Sequence, residues 1–388
     1  MGRRVVVTGI GVVSAAGIGL EAFWQGLRTT PLDRRERTVE GFDPSPWLTG
    51  KEARHHDRFT HLAVAAAQMA LDHAGGAPTV DPTRAGVHLG TGIGGVGTLE
   101  TQVGVLAERG PKRVSPFTIP MVMPNAGAAA VSLRLGWQGP CETLTTACAA
   151  GTHSVAAGAR MVADGRCDAV LAGGAESSMT PTTVAAFTVM TALSKTGLSR
   201  PFDVDRDGFC IAEGAAVLLL EERDAALARG ATVYGEVLGS ASTCDAHHIT
   251  APSPGGVGAA ACMRMAMADA GVTADQVRHV NAHGTSTPLN DAAEAAAITT
   301  VFGPRGVPVT SVKGVTGHSL GAAGAVEAAA VLLSFLHREL PPTMGTKVVD
   351  PALDIDVVLE PRPWEPGPTL SNSFGFGGHN GTLVLAPG

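Results

Sequence analysis

The sequence predicts an α/β protein in which a mostly parallel sheet carries helices on both faces. Short aliphatic segments alternate with Ala-rich segments of helical spacing along all 388 residues, and this alternation is typical of parallel sheets. Hydrophobic residues make up 45% of the chain and charged residues only 16%, which indicates a large buried core. Both halves also repeat one design: a strand, a turn of small residues with a reactive side chain, and an Ala/Gly-rich helix.

The first half predicts a series of buried strands and small-residue helices. The strands are predicted at 5–8, 86–90, 169–174 and 215–220, and the helices at 20–28, 60–75 and 154–163. Residues 29–58 predict an irregular segment with scattered basic side chains. The Pro-punctuated stretch 116–124 predicts a loop that covers a pocket.

The second half begins after Arg229-Gly230 and repeats the alternation. The strands are predicted at 233–238, 277–282, 307–312 and 381–385, and the helices at 256–270, 292–301 and 321–336. We therefore divide the chain into an N-terminal half, 1–229, and a C-terminal half, 230–388.

Composition excludes several classes of function. The net charge of −7 gives nucleic-acid binding no electrostatic support. The six cysteines form no C-x-x-C pair and no Cys/His cluster at zinc spacing, which indicates reduced thiols in the cytoplasm and no metal centre. No apolar run approaches the roughly 18–20 residues that span a bilayer, and glycines interrupt the apolar N-terminus, which argues against a signal peptide.

The segment 145–153 contains the candidate nucleophile, Cys148. It follows a short apolar segment and runs into an Ala-rich helix, so Cys148 is predicted at the first turn of that helix. A helix N-terminus favours thiolate over thiol, and small neighbours let a substrate approach closely. A buried structural cysteine is the alternative, because free cysteine is among the most buried residue types.

Two histidines in the second half strengthen the catalytic interpretation. His283 ends a predicted strand in the stretch NAHGTST, and His318 follows Lys313 in the stretch KGVTGH. A single histidine at a strand end is more often structural. Two of them, each flanked by glycine, together with a cysteine at a helix start, favour thiolate chemistry that uses both halves.

Two other motifs compete with this interpretation. GTGIGG at 90–95 loosely matches a dinucleotide fingerprint, and Gly9-Ile-Gly11 follows the first predicted strand. The fingerprint also needs an acidic residue about twenty positions on for the ribose, and Glu21 and Asp33 are poorly placed after Gly11. GHSLG at 317–321 matches the G-x-S-x-G elbow of serine acyltransferases and hydrolases. That alternative would use Ser319 with Asp350 or Asp356 and His379, and it leaves Cys148 and His283 unexplained.

Four motifs in order along the chain resemble those of the β-ketoacyl-[acyl carrier protein] synthases. They are TACAAG around Cys148, NAHGTSTP around His283, KGVTGH ending at His318, and NSFGFGG at 372–378. The resemblance covers essentially the whole chain and is strongest to the elongating Cys-His-His type of fatty-acid and type II polyketide systems. It implies a thiolase fold, with duplicated halves in a five-layered α-β-α-β-α sandwich, and usually an obligate dimer.

The resemblance implies a decarboxylative Claisen condensation without a cofactor, since the substrates travel on the phosphopantetheine arm of acyl carrier protein. Cys148 would accept the acyl group. His283 and His318 would stabilise the enolate formed from the malonyl thioester. The backbone N–H groups of Cys148 and Phe376 would bind the oxyanion at the acyl carbonyl.

Other family positions are also matched in this sequence. Lys313 corresponds to the structural lysine and Glu327 to its partner. Asp291 and Glu294 correspond to acidic residues that support the site from behind. The hydroxyls of Thr285 and Thr287 would bind the pantetheine arm.

The resemblance also implies a gate, an acyl pocket and a docking surface. Phe374 and Phe376 belong to the gatekeeping turn, whose glycines permit positive φ; His379 follows where threonine is common. The acyl pocket should include Ile93 and, near the dimer interface, Thr118. Relatives often carry an aromatic residue at the position of Thr118, so the pocket is expected to be roomier here.

Partners follow from the same resemblance. Lys51 and Arg54 match positions that dock the acidic carrier protein, while Thr191 stands where many relatives have a docking arginine. The chain would form a homodimer, or a heterodimer with a chain-length-factor paralogue. The presence of Cys148 makes it the catalytic member. Fatty-acid and polyketide synthesis both remain open.

Overall fold

The computed structural model describes residues 3–31 and 33–388. The N-terminal half contains these elements: β1 (Val5–Ser14), β2 (Gly17–Ile18), α1 (Leu20–Gly26), β3 (Glu36–Arg37), α2 (Gly50–Ala53), α3 (Arg58–His73), β4 (Ala85–Gly90), α4 (Val96–Arg109), α5 (Thr118–Val122), α6 (Ala126–Leu135), β5 (Cys141–Leu144), α7 (Ala150–Ala163), β6 (Ala169–Glu176), α8 (Pro181–Val189), β7 (Ile211–Ala212), β8 (Gly214–Glu222) and α9 (Arg223–Ala228).

The C-terminal half repeats the same succession more compactly. Its elements are β9 (Gly235–Cys244), α10 (Val257–Ala270), β10 (His279–Asn281), α11 (Pro288–Phe302), β11 (Pro308–Thr310), α12 (Lys313–Thr316), α13 (Ala323–His337), β12 (Glu339–Leu340), β13 (Asp356–Val357), β14 (Arg362–Pro363), β15 (Thr369–Gly375) and β16 (His379–Ala386). Short 3-10 turns lie at Pro82–Arg84, Pro111–Arg113, Ala147–Ala149, Pro254–Gly256, Ala274–Gln276 and Leu320–Ala322.

The main strands form one continuous sheet with the order β13-β11-β10-β15-β16-β9-β1-β8-β6-β4-β5. The N-terminal half contributes five strands of this order, and the C-terminal half contributes five corresponding strands and β13 at its edge. The halves join where β1 pairs antiparallel with β9. The strands at the two ends pair in parallel. Those in the middle pair antiparallel. The prediction of a mostly parallel sheet was therefore wrong for the middle of the sheet.

The helices form three layers around the two half-sheets. Helices α7 and α13 contact each other and both half-sheets, so they form the middle layer. Helices α3 and α6 cover the outer face of the N-terminal half-sheet, and α10, with α11 packed against it, covers that of the C-terminal half-sheet. The largest hydrophobic cluster lies between the half-sheets and includes Val155, Val326 and Leu218. The result is the five-layered sandwich of duplicated halves.

Glycines let α7 and α13 cross at backbone contact. A Cβ atom on Gly151 would lie 2.9 Å from the Gly321 carbonyl oxygen, and one on Gly324 would lie 2.0 Å from the Thr152 hydroxyl oxygen. Side chains at these positions would force the helices apart. Because Cys148 precedes α7 and His318 precedes α13, this crossing brings the reactive turns of the two halves together.

Several elements were absent from the sequence prediction. Strand β15 and helices α4, α6 and α8 lie in regions for which no element was predicted, and α5 lies in the predicted pocket loop. By length and composition, the segment Leu320–His337 could cross a membrane, although no such apolar run was predicted. In the structure, 89% of that segment is buried, which identifies it as a core helix.

Candidate active site

Cys148 lies on the 3-10 turn Ala147–Ala149 immediately before α7, where a helix start was predicted. Its side chain is only 7% exposed. The preceding residue, Ala147, has a φ of 49°, a left-handed conformation that non-glycine residues rarely adopt. Ser286 and Leu320, in the turns that contain the two histidines, also have positive φ. Such strained residues cluster at functional sites.

His318 is the residue in contact with the cysteine. Its Nε2 lies 3.1 Å from Cys148 Sγ. Two backbone hydrogen bonds join His318 to β7 and the residue before it. The His318 N–H donates to the Cys210 carbonyl oxygen at 2.8 Å, and the Ala212 N–H donates to the His318 carbonyl oxygen at 3.0 Å. Nδ1 of His318 is buried without a hydrogen-bond partner among the described residues, so the contact of Nε2 with Cys148 Sγ is the one that bears on the tautomer of the ring.

His283 is the second histidine of the site, and Lys313 orients it. The two imidazole rings of the site meet edge to face at a centroid distance of 5.3 Å. The Lys313 ammonium donates to the His283 carbonyl oxygen at 2.6 Å and to its Nδ1 at 3.3 Å, and it also pairs with Glu327. An ammonium is a donor only. Nδ1 of His283 must therefore accept, and Nε2 carries the ring proton.

Two buried carboxylates shape the turn between β10 and α11. Glu294 accepts from the backbone N–H groups of His283 and Gly284 at 2.8 and 2.7 Å. Asp291 accepts from the N–H groups of Phe202 and Ser286 at 2.7 and 3.1 Å. Both carboxylates therefore contact the backbone of this turn, while the supporting role that the resemblance implies for them stays a prediction.

Burial controls the charge states of the site. It raises the pKa of Cys148 to about 11, although the Lys313 charge and a backbone hydrogen bond from Phe376 act in the opposite direction. The pKa values of His283 and His318 lie well below their usual value, because of burial and then of the Lys313 charge. The resting site therefore holds a thiol and two neutral imidazoles. Burial thus opposes the thiolate that the helix N-terminus was predicted to favour, and that thiolate stays a prediction.

The acidic residues behind the histidines are also perturbed. Burial raises the pKa of Glu294 and of Glu327 to about 7, and that of Asp291 to about 6. Their hydrogen bonds act in the opposite direction and lower these pKa values.

The turn after β15 closes the site from the other side. The backbone N–H groups of Phe376 and of Cys148 itself lie near the cysteine sulfur and act to lower its pKa. A Cβ on Gly375 would lie 3.1 Å from the Cys148 nitrogen, so only glycine permits this approach. Phe376 lies against Phe187 at a centroid distance of 6.4 Å, and Phe374 packs against His283.

A cavity of about 700 Å³ opens onto these groups. Its lining contains the following predicted residues: Cys148, His283, His318, Thr285, Thr287, Ile93, Phe374 and Phe376. Lys313, Glu327, Asp291 and Glu294 lie behind the lining and act through it. Thr191, which is predicted to stand where many relatives have a docking arginine, also lines the cavity.

The structure does not bring the remaining predicted residues to the cavity of the single chain. Thr118 begins α5, where its hydroxyl donates to the Ser115 carbonyl oxygen at 2.7 Å. Lys51 and Arg54 lie on and after the short helix α2, with exposed side chains. His379 begins β16 opposite Cys244. The functional roles of these residues stay predictions.

The competing motifs lack the partners that their chemistry needs. Asp350 pairs with Arg206, and Asp356 pairs with Arg362. No hydrogen bond joins Ser319 to His379 within the described part of the chain. In the glycine stretch after β4, the Gly92 N–H donates to the Glu176 carboxylate at 2.5 Å, so a pyrophosphate would have to displace this carboxylate.

The cysteine and the two histidines could in principle hold a soft metal ion. Their ligand atoms lie within 4.8 Å of one another, and a thiolate with imidazoles suits zinc. Lys313 opposes such a site, because its ammonium donates to Nδ1 of His283 and leaves the proton on Nε2, where a metal would bind.

Two further residues near the site were missed by sequence reasoning. Phe209 packs edge to face on the His318 ring at a centroid distance of 5.0 Å. Glu176, fully buried at the end of β6, accepts from the backbone N–H groups of Gly92 and Gly321 and so joins the two halves. No local signal marks either residue, since each acts through a partner that is distant in sequence.

Comparison with known proteins agrees with this architecture and site. Residues 2–226 match the family model for the beta-ketoacyl synthase N-terminal domain, and residues 234–347 match that for the C-terminal domain. A 3-oxoacyl-[acyl-carrier-protein] synthase 2 of Synechocystis is 42% identical and is aligned over 99% of this chain and 98% of its own length. The protein of the same name from Staphylococcus aureus is 39% identical over the same shares.

Solved structures show the same fold. The ishigamide ketosynthase/chain length factor superposes with a TM-score of 0.94 at 35% identity and covers 100% of both chains. A type II polyketide synthase acyl-carrier protein in complex with its ketosynthase bound to the hexaketide gives 0.91 at 29% identity, again over 100% of both chains.

Duplicated halves that bring a cysteine and two histidines to one cavity define a condensing enzyme of the thiolase fold. Family models match both halves, and a relative 42% identical is aligned over almost the whole chain. The chain belongs to the beta-ketoacyl synthase family.

Proposed function

We propose that the chain condenses an acyl group carried on Cys148 with a malonyl thioester of acyl carrier protein. The observation that carries this proposal is the cavity in which Cys148 Sγ lies 3.1 Å from His318 Nε2, with the ring of His283 beside it. A nucleophile and two neutral imidazoles at one point suit covalent acyl transfer followed by enolate stabilisation.

In the first step the Cys148 sulfur attacks the acyl thioester carbonyl, and the carrier thiolate leaves. A thiol with a pKa of about 11 needs a neighbour to take its proton. Nε2 of neutral His318 is in contact, accepts the proton and returns it to the leaving sulfur. The N–H groups of Cys148 and Phe376 stabilise the tetrahedral oxyanion.

In the second step malonyl carrier protein enters and loses carbon dioxide. Nε2–H of His283 donates to the thioester oxygen, because Lys313 holds that ring in the required tautomer. His318 supplies the second donor in its Nε2–H tautomer. Because the first step leaves the ring proton on Nδ1, that proton exchanges to Nε2 through solvent between the two steps, and no contact of Nδ1 opposes the exchange. The enolate carbon then attacks the acyl-Cys148 carbonyl, a C–C bond forms, and the cysteine leaves as thiolate.

Other lining residues hold the substrates. Thr285 and Thr287 share a hydrogen bond of 2.9 Å between their hydroxyl oxygens and line the cavity, so their hydroxyls can bind the pantetheine arm. Ile93 contributes to the acyl pocket, and Phe374 and Phe376 form its gate. No cofactor takes part, since the carrier arm delivers both substrates.

We further propose that the chain is a cytoplasmic dimer. Strand β5 forms an open edge of the main sheet, and its first residues, Cys141 and Glu142, are exposed. Helices α4 and α5 expose the apolar side chains of Val103 at 56% and Ile119 at 68%, and exposed apolar patches mark interaction surfaces. A partner on this face would also cover Thr118. The partner is a second copy or a chain-length-factor paralogue.

Lys51 and Arg54 are proposed to dock the acidic carrier protein. Wild-type KM for malonyl carrier protein should rise with salt, because exposed charges are screened within about 10 Å at 0.1 M. Lys51→Glu with Arg54→Glu should raise KM about tenfold at low salt without changing kcat. Arg166→Glu, beyond the far end of α7, is the control. A salt-independent wild-type KM would contradict the docking role.

The condensation itself is tested by incubating the protein with acyl and malonyl carrier proteins and measuring the carrier-bound product by mass. We expect a β-ketoacyl thioester, which also identifies the acyl chain that the enzyme extends. Ser319→Ala should leave the rate within about twofold. Free acid as the sole product, with loss of acylation in Ser319→Ala, would instead support a serine hydrolase.

A further inference from the structure

A buried arginine connects the irregular segment after α1 to the catalytic turns. Arg37 belongs to the short strand β3 and is only 3% exposed. Its guanidinium donates from one nitrogen to the carbonyl oxygens of Gly314 and Val315 at 2.6 and 2.7 Å. Its other terminal nitrogen contacts Cys210 Sγ at 3.6 Å. The sequence predicted only an irregular segment with scattered basic side chains here.

The two carbonyls belong to α12, a helix of a single turn. Such a helix leaves its carbonyls without intrahelical donors, and a cation at its C-terminal end is favourable. Helix α12 begins at Lys313 and ends at Thr316. One glycine, Gly317, separates its end from His318. The guanidinium therefore binds the backbone between the residue that orients His283 and the residue that contacts Cys148.

The strand β7 completes the connection on the other side. Strand β3 pairs in parallel with β7, with Arg37 opposite Ala212. Ala212 and Cys210 in turn hold the backbone of His318 through two hydrogen bonds. The backbone of Gly317 lies so close to Arg37 and Ala212 that no side chain fits there, because a Cβ would lie 3.2 Å from Cδ of Arg37 and 2.9 Å from Cβ of Ala212. Arg37 thus holds the turn that contains His318 in two ways: its backbone pairs with β7, and its side chain binds α12.

We propose that Arg37 is a positioning residue that fixes α12 and the following turn in the conformation needed for decarboxylation and condensation. It touches no substrate and acts through Lys313 and His318. A guanidinium suits this role, since its planar fork reaches several acceptors at once and remains charged when buried. The inference rests on the proposed condensation.

The test is a kinetic comparison of wild type with Arg37→Met, using malonyl carrier protein for decarboxylation and both carriers for condensation. We expect kcat to fall about 10- to 100-fold for both reactions, because small misplacements of catalytic groups have effects of this size. KM should stay within about twofold, since the carrier surface and cavity mouth are untouched. Arg37→Lys should have a kcat at least about threefold above that of Arg37→Met but still below that of the wild type. If the methionine variant does not fold, the test is the Arg37→Lys comparison with wild type, in which an unchanged kcat would overturn the proposal.

Arg229→Met is the matched control. Arg229 binds the buried Glu221 near the far end of β8, so its removal should lower the thermal stability without lowering kcat of the folded protein. An unchanged kcat in Arg37→Met would overturn the proposal, as would an equal kcat loss in the control. If the wild type forms no β-ketoacyl product, the proposed function is wrong. That failure is seen in the wild-type reaction and is therefore distinguishable from a failure of the proposal for Arg37, which is seen only in the variants.

Discussion

At the scale of single residues, the site works with neutral groups. Burial favours the thiol form of Cys148 and the neutral form of both imidazoles, while Lys313 pairs with Glu327 behind them. A neutral imidazole can accept a proton from the thiol and can also donate to an enolate oxygen. His318 can therefore serve acyl transfer, and both rings can serve decarboxylation, without a change in the net charge of the site.

Alkylation tests the charge state of the cysteine. The thiolate is the reactive form, so the rate of iodoacetamide addition to Cys148 should rise with pH through 9 and beyond, toward the pKa of about 11. Peptide mapping separates Cys148 from the exposed Cys244, which serves as the internal comparison. A rate for Cys148 that reaches its plateau below pH 8 would show that the helix N-terminus outweighs burial.

The Lys313–Glu327 pair should affect stability through the buried ion pair and catalysis through the contact of Lys313 with His283. Lys313→Met leaves a buried carboxylate without its partner, so the free energy of unfolding should fall by about 3–5 kcal/mol, and decarboxylation should be lost. Adding Glu327→Leu should recover most of the stability in denaturant titrations but none of the activity, because His283 still lacks its donor. Recovery of both together would contradict the orienting role of Lys313.

At the scale of elements, the site depends on the crossing of α7 and α13. Each helix begins just after a reactive turn, and glycines bring the two backbones into contact. The distance between Cys148 and His318 is therefore a property of helix packing. A side chain at the crossing should change this distance even though it lies outside the cavity.

Gly324→Ala tests this dependence. Its Cβ would lie 2.0 Å from the Thr152 hydroxyl oxygen, so we expect a loss of about 1–3 kcal/mol in unfolding free energy and at least a tenfold loss of condensation. Gly104→Ala, in α4 with open space around it, should instead gain up to about 1 kcal/mol. Wild-type activity in Gly324→Ala would show that the crossing does not set the site geometry.

The parts of the site that lie on local patterns were predictable from the sequence. Cys148, His283 and His318 each stand in a small-residue turn beside a periodic segment, and the structure places all three around one cavity. Arg37, Glu176 and Phe209 were not predictable, because their partners lie far away along the chain. The antiparallel middle of the sheet was missed for a similar reason, since an aliphatic run does not show the direction of its neighbour.

At the scale of the whole molecule, duplication explains why the site lies at the centre. The corresponding strands of the two halves have the same order and directions, and the middle helices α7 and α13 occupy equivalent places. The cysteine comes from one half and the histidines from the other, so neither half has a complete site. The family and the thiolase fold that the sequence predicted are confirmed, whereas the boundary at 229/230 stays a prediction.

The proposed dimer face can be tested at the same scale. Ile119→Asp places a charge on the exposed apolar surface of α5, so light scattering at micromolar concentration should show a shift from dimer to monomer, with a loss of activity. Val348→Asp changes a residue of similar exposure, 59%, in the C-terminal half and should remain dimeric. A monomeric wild type, or a dimeric Ile119→Asp, would contradict the assignment of this face.

The central claim is that Cys148 carries the acyl group while the two histidines decarboxylate the malonyl thioester. The most direct test measures two quantities on Cys148→Ala: the intact mass after exposure to acyl carrier protein, and the release of carbon dioxide from malonyl carrier protein. We expect the wild type alone to gain the acyl mass, while the variant still releases carbon dioxide because His283 and His318 remain. Full condensation activity in Cys148→Ala, or an acyl adduct on another residue, would contradict the account.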